Sequence, residues 1–141
     1  MTKQRTNLAT VLANLQTTSS GYDLIRYIGL PDMLGQETEL ILYIMGKNIA
    51  RQAQCGSLEE VKEFFAHVGW GELNLVQEKR KRLIFELGGD IIQARQQTLE
   101  QVDYVLEAGF LAESVVQIKE EANECVVETK KDQILLHVIQ S

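Results

Sequence analysis

Near the start of the chain, Leu8, Val11, Leu12 and Leu15 recur at helical spacing and predict a short amphipathic helix. The run Thr17-Thr18-Ser19-Ser20-Gly21 interrupts it and reads as a linker. Tyr22, Ile25 and Ile28 predict a second short helix. Gly29-Leu30-Pro31 should end it, because the residue before a proline is pushed out of the α region. From Gln36 to Gln54 the pattern predicts a long helix with the apolar stripe Leu40, Ile41, Ile44, Met45 and Ile49. Gly46 lies inside that helix at a cost of about 1 kcal/mol against alanine, which implies close approach by another element. After Gly56, Ser57-Leu58-Glu59-Glu60 is a capping box, in which the serine hydroxyl accepts from the Glu60 amide and Glu60 reaches back. A helix from Leu58 to His67 follows, with Val61, Phe64 and Phe65 as its inner face.

The period changes at Gly69-Trp70-Gly71. Leu73 and Leu75 alternate with polar neighbours, and Leu83, Phe85 and Leu87 alternate with Ile84 and Glu86. Two antiparallel strands joined by a charged turn are predicted, ending at Gly88-Gly89. Residues 90–98 fit neither period. A second long helix is predicted from Leu99 to about Lys119, capped by Thr98 with Gln101. Its inner face is Val102, Val105, Leu106, Gly109, Ala112 and Val116. Two further strands, Glu124–Glu128 and Gln133–Ile139, turn at Lys130-Lys131-Asp132. The order helices, hairpin, helix, hairpin predicts an α+β fold, a helical layer packed on a twisted four-stranded antiparallel sheet. One domain is expected over residues 1–141, with residues 1–20 a loosely attached N-terminal helix.

Composition narrows the function classes. With 45% hydrophobic and 24% charged residues, the chain of 141 residues lies in the globular range. The net charge is −6. Residues 71–141 carry 13 acidic and 8 basic side chains, so the acidity sits in the second half. Such a balance repels a phosphate backbone, and no nucleic-acid partner is expected. One basic cluster, Lys79-Arg80-Lys81-Arg82, falls at the hairpin turn, as a solvated tip or as a contact for an anion or acidic partner. No apolar stretch approaches the ~20 residues of a membrane span, and neither a signal peptide nor a lipidation motif is recognisable. A cytoplasmic location is expected.

Chemical motifs are sparse. Neither a glycine-rich dinucleotide loop nor a phosphate-binding P-loop occurs, and His67 and His137 are the two histidines. No metal site and no cofactor are expected, since four ligands with a recognisable spacing are missing. Cys55 and Cys125 lie 70 positions apart and read as free thiols. Cys55 follows Arg51 at a helix–helix turn, where a nearby cation lowers a thiol, so it is the candidate thiol site. Cys125 alternates with Val127 and reads as a buried hydrophobe. The carboxylate runs at Glu59, Glu60 and Glu63 and at Glu120, Glu121 and Glu124 read as a helix start and a solvated edge.

Three stretches carry a resemblance: Leu30-Pro31-Asp32-Met33-Leu34-Gly35-Gln36, Val68-Gly69-Trp70-Gly71 and Leu106-Glu107-Ala108-Gly109-Phe110-Leu111-Ala112-Glu113. With the element order, they resemble the YslB-like proteins of Gram-positive bacteria, a family without assigned function, from about residue 20 onward. That family is similar in turn to vinyl-reductase-type domains, to subunits of the TRAPP vesicle-tethering complex and to haem nitric-oxide-binding domains. The resemblance implies a TRAPP-subunit-like fold and a ligand held between helices and sheet. The histidine and the cysteine pair of the vinyl-reductase type have no full counterpart here, nor has the axial histidine of the haem type. TRAPP-type subunits resemble the chain around Met45-Gly46-Lys47-Asn48-Ile49-Ala50, and Cys55 falls near the place where some carry an acyl chain.

The reading that follows is a non-enzymatic module binding a small apolar ligand and working as a homodimer. Tyr43, Gly46, Trp70, Gly109, Phe110 and Ala112 are the expected ligand-binding residues, around the small-residue seam. The pairing is expected through helices, either Leu40–Ile49 or the N-terminal one. Two alternatives are a protein–protein adaptor without a pocket, and an acyl carrier or redox sensor at Cys55.

Overall fold

The computed structural model describes residues 19–99 and 102–141. The N-terminal helix predicted around Leu8–Leu15 therefore lies outside the described residues. From Ser19 the chain is helical: α1 (Ser19–Leu24), a wide π-helical turn (Ile25–Gly29), α2 (Leu30–Leu34) and a tight 3-10 turn (Gly35–Glu37). Contrary to the sequence reading, Pro31 does not end the helical path. It falls within the first two positions of α2, where its missing N–H costs nothing. The wide turn before it lets the Leu30 N–H reach back five residues to the Ile25 carbonyl.

Helix α3 (Thr38–Ala53) corrects the predicted stripe. Its buried residues are Thr38, Leu42, Gly46 and Ala50, spaced by four, while Leu40, Ile41, Ile44 and Met45 are exposed. The inward face is thus the one with the smaller side chains. Helix α4 (Leu58–His67) has the predicted bounds. The Ser57 hydroxyl accepts from the Glu60 N–H at 3.2 Å, and the Glu60 carboxylate accepts from the Gly56 N–H at 2.6 Å.

Strands β1 (Glu72–Lys79) and β2 (Arg82–Gly88) form the first hairpin, with a register shift between Leu75 and Gln77. The ambiguous segment is helical, as α5 (Asp90–Thr98). The next helix, α6 (Val105–Lys119), begins six residues later than predicted. Leu99 is extended and Thr98 is the last residue of α5, so the predicted threonine cap does not form. Instead the Asp103 carboxylate accepts from the Val105 N–H at 3.2 Å. Strands β3 (Asn123–Lys130) and β4 (Gln133–Gln140) close the sheet, whose order is β1-β2-β4-β3, antiparallel throughout.

One face of this sheet presents Leu73, Phe85, Leu87, Leu136 and Val138 to α4, α5 and α6. Helix α6 lies between the sheet and α3 and is buried nearly all round, from Leu106 through Ala112 and again at Ser114 and Val115. The four-stranded α+β prediction therefore describes the molecule. The surplus beyond it is α3, stacked on α6 as an outer layer.

Candidate functional site

The small-residue seam is a direct helix–helix contact. Gly46 of α3 faces Gly109 of α6. A Cβ at Gly46 would run into the Leu106 carbonyl oxygen and lie 2.8 Å from the Phe110 nitrogen. One at Gly109 would run into the Tyr43 carbonyl, 2.9 Å from its carbon. Two backbones meet at this crossing, and only glycine at both positions permits it. Ala112 is fully buried one turn further along α6.

Phe110 points away from the seam into an aromatic cluster. Its ring stacks on Phe64 at 4.4 Å and meets Trp70 edge-on at 5.3 Å, and Phe65 packs edge-on against Trp70 and Phe110. Trp70, in the loop before β1, and Phe110, on α6, are thus brought together with Phe64 and Phe65 of α4. Tyr43 has a different task. Its hydroxyl accepts from the Cys125 N–H at 3.0 Å and donates to Glu124, to which Lys47 also donates at 2.8 Å. This cross-link blocks part of the open β3 edge. Burial above all pushes the Tyr43 phenol up, and Glu124 adds to it.

Cys55 is buried in the turn between α3 and α4. Burial and then the Glu60 charge push its thiol up, away from the thiolate. Cys55 precedes α4 and His67 is its last residue; the ten residues of the helix span about 15 Å and hold the two apart. Cys125 is buried as predicted, and desolvation pushes its thiol well up.

The sequence reading missed a buried ionic network around the start of α6. Arg26, in the wide turn, is 2% exposed, and Glu107, in the first turn of α6, is 0% exposed. They form a bidentate pair with Nη1 and Nη2 at 2.7 and 2.6 Å from the carboxylate oxygens. Arg26 also donates to the Tyr22 hydroxyl at 2.7 Å and to the Asp103 carbonyl at 3.1 Å, and stacks on Tyr27 at 4.9 Å. Burial alone would lower the arginine, but the Glu107 charge and hydrogen bonds outweigh it and raise it further. Beside it, Arg95 of α5 is also buried and donates to Asp23 of α1 at 2.9 Å and to the Gly69 carbonyl. The visible trace in the sequence is Glu107, a lone carboxylate in the apolar run from Leu106 to Ala112. The partners are 81 positions apart, and no local pattern links them.

Above Arg95 an apolar groove of about 300 Å³ runs between α1 and α5, walled by Leu24, Ile28, Ile91, Ala94 and Leu99. Among the described residues no group of three or more histidine, cysteine or acidic side chains is placed to hold a metal ion, and no helix is long and apolar enough to cross a membrane.

Comparison with known proteins gives three findings. A family model described as "Protein of unknown function (DUF2507)" matches residues 19–139. The chain is 39% identical over 129 residues to the uncharacterized protein YslB of Bacillus subtilis (strain 168), covering 90% of this chain and 87% of that one. A solved vinyl-4-reductase family protein from Methanocaldococcus jannaschii has the same fold, with a TM-score of 0.68 at 15% identity, over 100% of this chain and 99% of the other.

Proposed function

We propose, for a chain that belongs to the DUF2507 family of proteins of unknown function, that it is a non-enzymatic binding module working in the cytoplasm as a homodimer paired through the outer face of α3. The observation that carries this reading is the orientation of α3. Gly46 and Ala50 fix its inner face on α6, and that leaves Leu40, Ile41, Ile44 and Met45 exposed as one stripe. A contiguous apolar stripe on a helix is a typical association surface.

The second copy is the occupant that suits the charges. Glu37 and Glu39 stand at the start of α3, and Arg51 stands in its last turn. In a two-fold antiparallel pairing centred near Met45, each glutamate end faces the arginine end of the other copy. The apolar groove beside Leu24 and Ile28 is where a small apolar ligand would lie, since it is concave, mostly apolar and of pocket size. Two buried free cysteines fit a reducing compartment.

Sedimentation velocity over a concentration series tests the pairing. The wild type should sediment as a dimer at micromolar concentration. Met45→Glu should convert it to a monomer while its thermal unfolding midpoint at high dilution stays within a few degrees of wild type. A monomer at every concentration would sink the dimer and favour an adaptor that offers the same stripe to another protein. Native mass spectrometry of freshly purified protein checks the groove. A bound mass lost on denaturation supports a ligand, and a bare chain mass argues against one.

A further inference from the structure

The apolar groove between α1 and α5 opens beside the place where residues 1–18 join the fold. Ser20, in the first turn of α1, lines it together with Leu24, Ile28, Ile91, Ala94 and Leu99. Leu24 is 59% exposed and Ile28 is 56% exposed, so two large apolar side chains stand in water on its α1 side. Exposed apolar side chains that adjoin an apolar hollow form a surface that lacks a cover. The charged side chains of the lining, Asp23 and Arg95, are bonded to each other. What the groove offers an occupant is therefore mainly apolar contact.

Residues 1–18 run directly into α1 and carry the matching pattern. Leu8, Val11, Leu12 and Leu15 stand at i, i+3, i+4 and i+7, one face of a helix, and Thr10 and Asn14 fall off that face. A helix this short does not hold in water by itself, so its apolar face needs a surface to lie on. Between Leu15 and Ser19 stand Gln16, Thr17 and Thr18. A connection of this length is within the about 2–5 residues that join antiparallel helices. It turns the segment back along α1, from Ser20 toward Ile28. At the helical rise, residues 8–15 span about 12 Å, and so do the steps from Ser20 to Ile28. Lys3 and Arg5 then fall beyond Ile28, where α2 continues with the exposed Asp32. Residues 1–18 contain no acidic side chain to oppose that pairing.

We propose that residues 8–15 fold back on their own chain as a helix and seat Leu8, Val11, Leu12 and Leu15 in this groove. The short connection keeps the segment at high effective concentration beside the groove. Four apolar side chains only narrowly offset the ordering of the segment, so the cover is removable. A small apolar ligand entering the groove has to displace it. That consequence rests on the groove being a ligand site; the docking of the segment does not.

The test is paramagnetic broadening of amide NMR signals in the full chain. Thr10→Cys carries a nitroxide on the polar face of the segment; Cys55 and Cys125 are buried and should stay unlabelled, which the mass of the labelled chain verifies. Amides of residues 24–28 and 91–99 should lose at least half of their intensity, while those of residues 79–82, at the opposite end of β2 from α5, should keep theirs. Leu12→Glu with Leu15→Glu in the labelled chain should restore the lost intensity. Broadening that spares the groove and falls on residues 40–45 of α3, or no broadening at either place, would overturn the proposal. Equal broadening of the groove amides when labelled, unenriched chain is mixed with unlabelled, 15N-enriched chain would also overturn it, because the segment would then come from another copy. The apolar dye anilinonaphthalene sulfonate separates this docking from the ligand reading. It should shift the groove amides and bind the Leu12→Glu, Leu15→Glu chain at least fivefold more tightly than wild type. Equal binding there by both chains would overturn the cover. A dye that shifts groove amides in neither chain would remove the groove as a ligand site, and the docked segment would still stand on its broadening.

Discussion

At the residue scale, the most consequential contact is the buried Arg26–Glu107 pair. A buried ion pair is weak evidence of net stabilisation, since desolvation offsets attraction, but removing one partner strands a charge in the interior. Glu107→Leu should therefore cost about 3–5 kcal/mol. The double variant Arg26→Met with Glu107→Leu should regain at least half of that, because no unpaired charge remains. Urea unfolding of both variants decides it, and a single variant within about 0.5 kcal/mol of wild type would refute the burial argument. Besides its charge, Arg26 has a positioning role. Its bonds to the Asp103 carbonyl and carboxylate hold the chain where α6 starts. Asp103 in turn caps the Val105 N–H. This helps to explain why α6 starts at Val105 and not at Leu99. The apolar spacing continues upstream, but the capping Asp103, held by Arg26, lies downstream of Leu99.

Among the elements, the α3–α6 crossing sets the architecture. Gly46→Ala forces a methyl against the Leu106 carbonyl and the Phe110 nitrogen, which belong to the backbone of a buried helix and cannot swing aside. Its cost should reach about 3 kcal/mol, the upper end for overpacking. Gly21→Ala in α1 is the control, because nothing lies within 4 Å of its added Cβ. That change should be neutral or stabilising by up to about 1 kcal/mol. Differential scanning calorimetry of the two variants separates a loss specific to the seam from a general loss of glycine. The stripe on the other side of α3 follows from the same contact. Once the small residues face inward, the large ones face out, and Met45→Glu probes association without touching the core.

For the whole molecule, all four tyrosines (Tyr22, Tyr27, Tyr43 and Tyr104) are pushed above their ordinary value, each chiefly by burial. Tyr104 reaches about 12. A phenol that ionises near pH 10 in the unfolded chain and later in the folded one stabilises the fold fully below pH 10. That contribution is lost as the pH rises from 10 through the folded value, at up to about 1.4 kcal/mol per pH unit for each tyrosine. Denaturant midpoints measured from pH 8 to pH 11 should therefore stay level to about pH 9.5 and then fall steeply; a flat profile to pH 11 would contradict the burial of these rings. Much of this molecule was legible in the sequence. The periods of 3.6 and 2, the Ser57–Glu60 cap and the lysine-rich turns determined the helix-to-strand order and the four-stranded sheet, because each is written in neighbouring residues. The glycines at 46 and 109 also announced a close approach. Tertiary structure alone decided which face of α3 turns inward, where α6 begins and that Arg26, Arg95 and Glu107 are interior. Hydropathy marks a face as apolar, but not whether the core or another surface will cover it. Glycine and alanine, which let backbones meet, carry almost no hydropathy signal. A guanidinium–carboxylate pair separated by 81 positions leaves no mark in any local window, since only the folded chain brings its halves together.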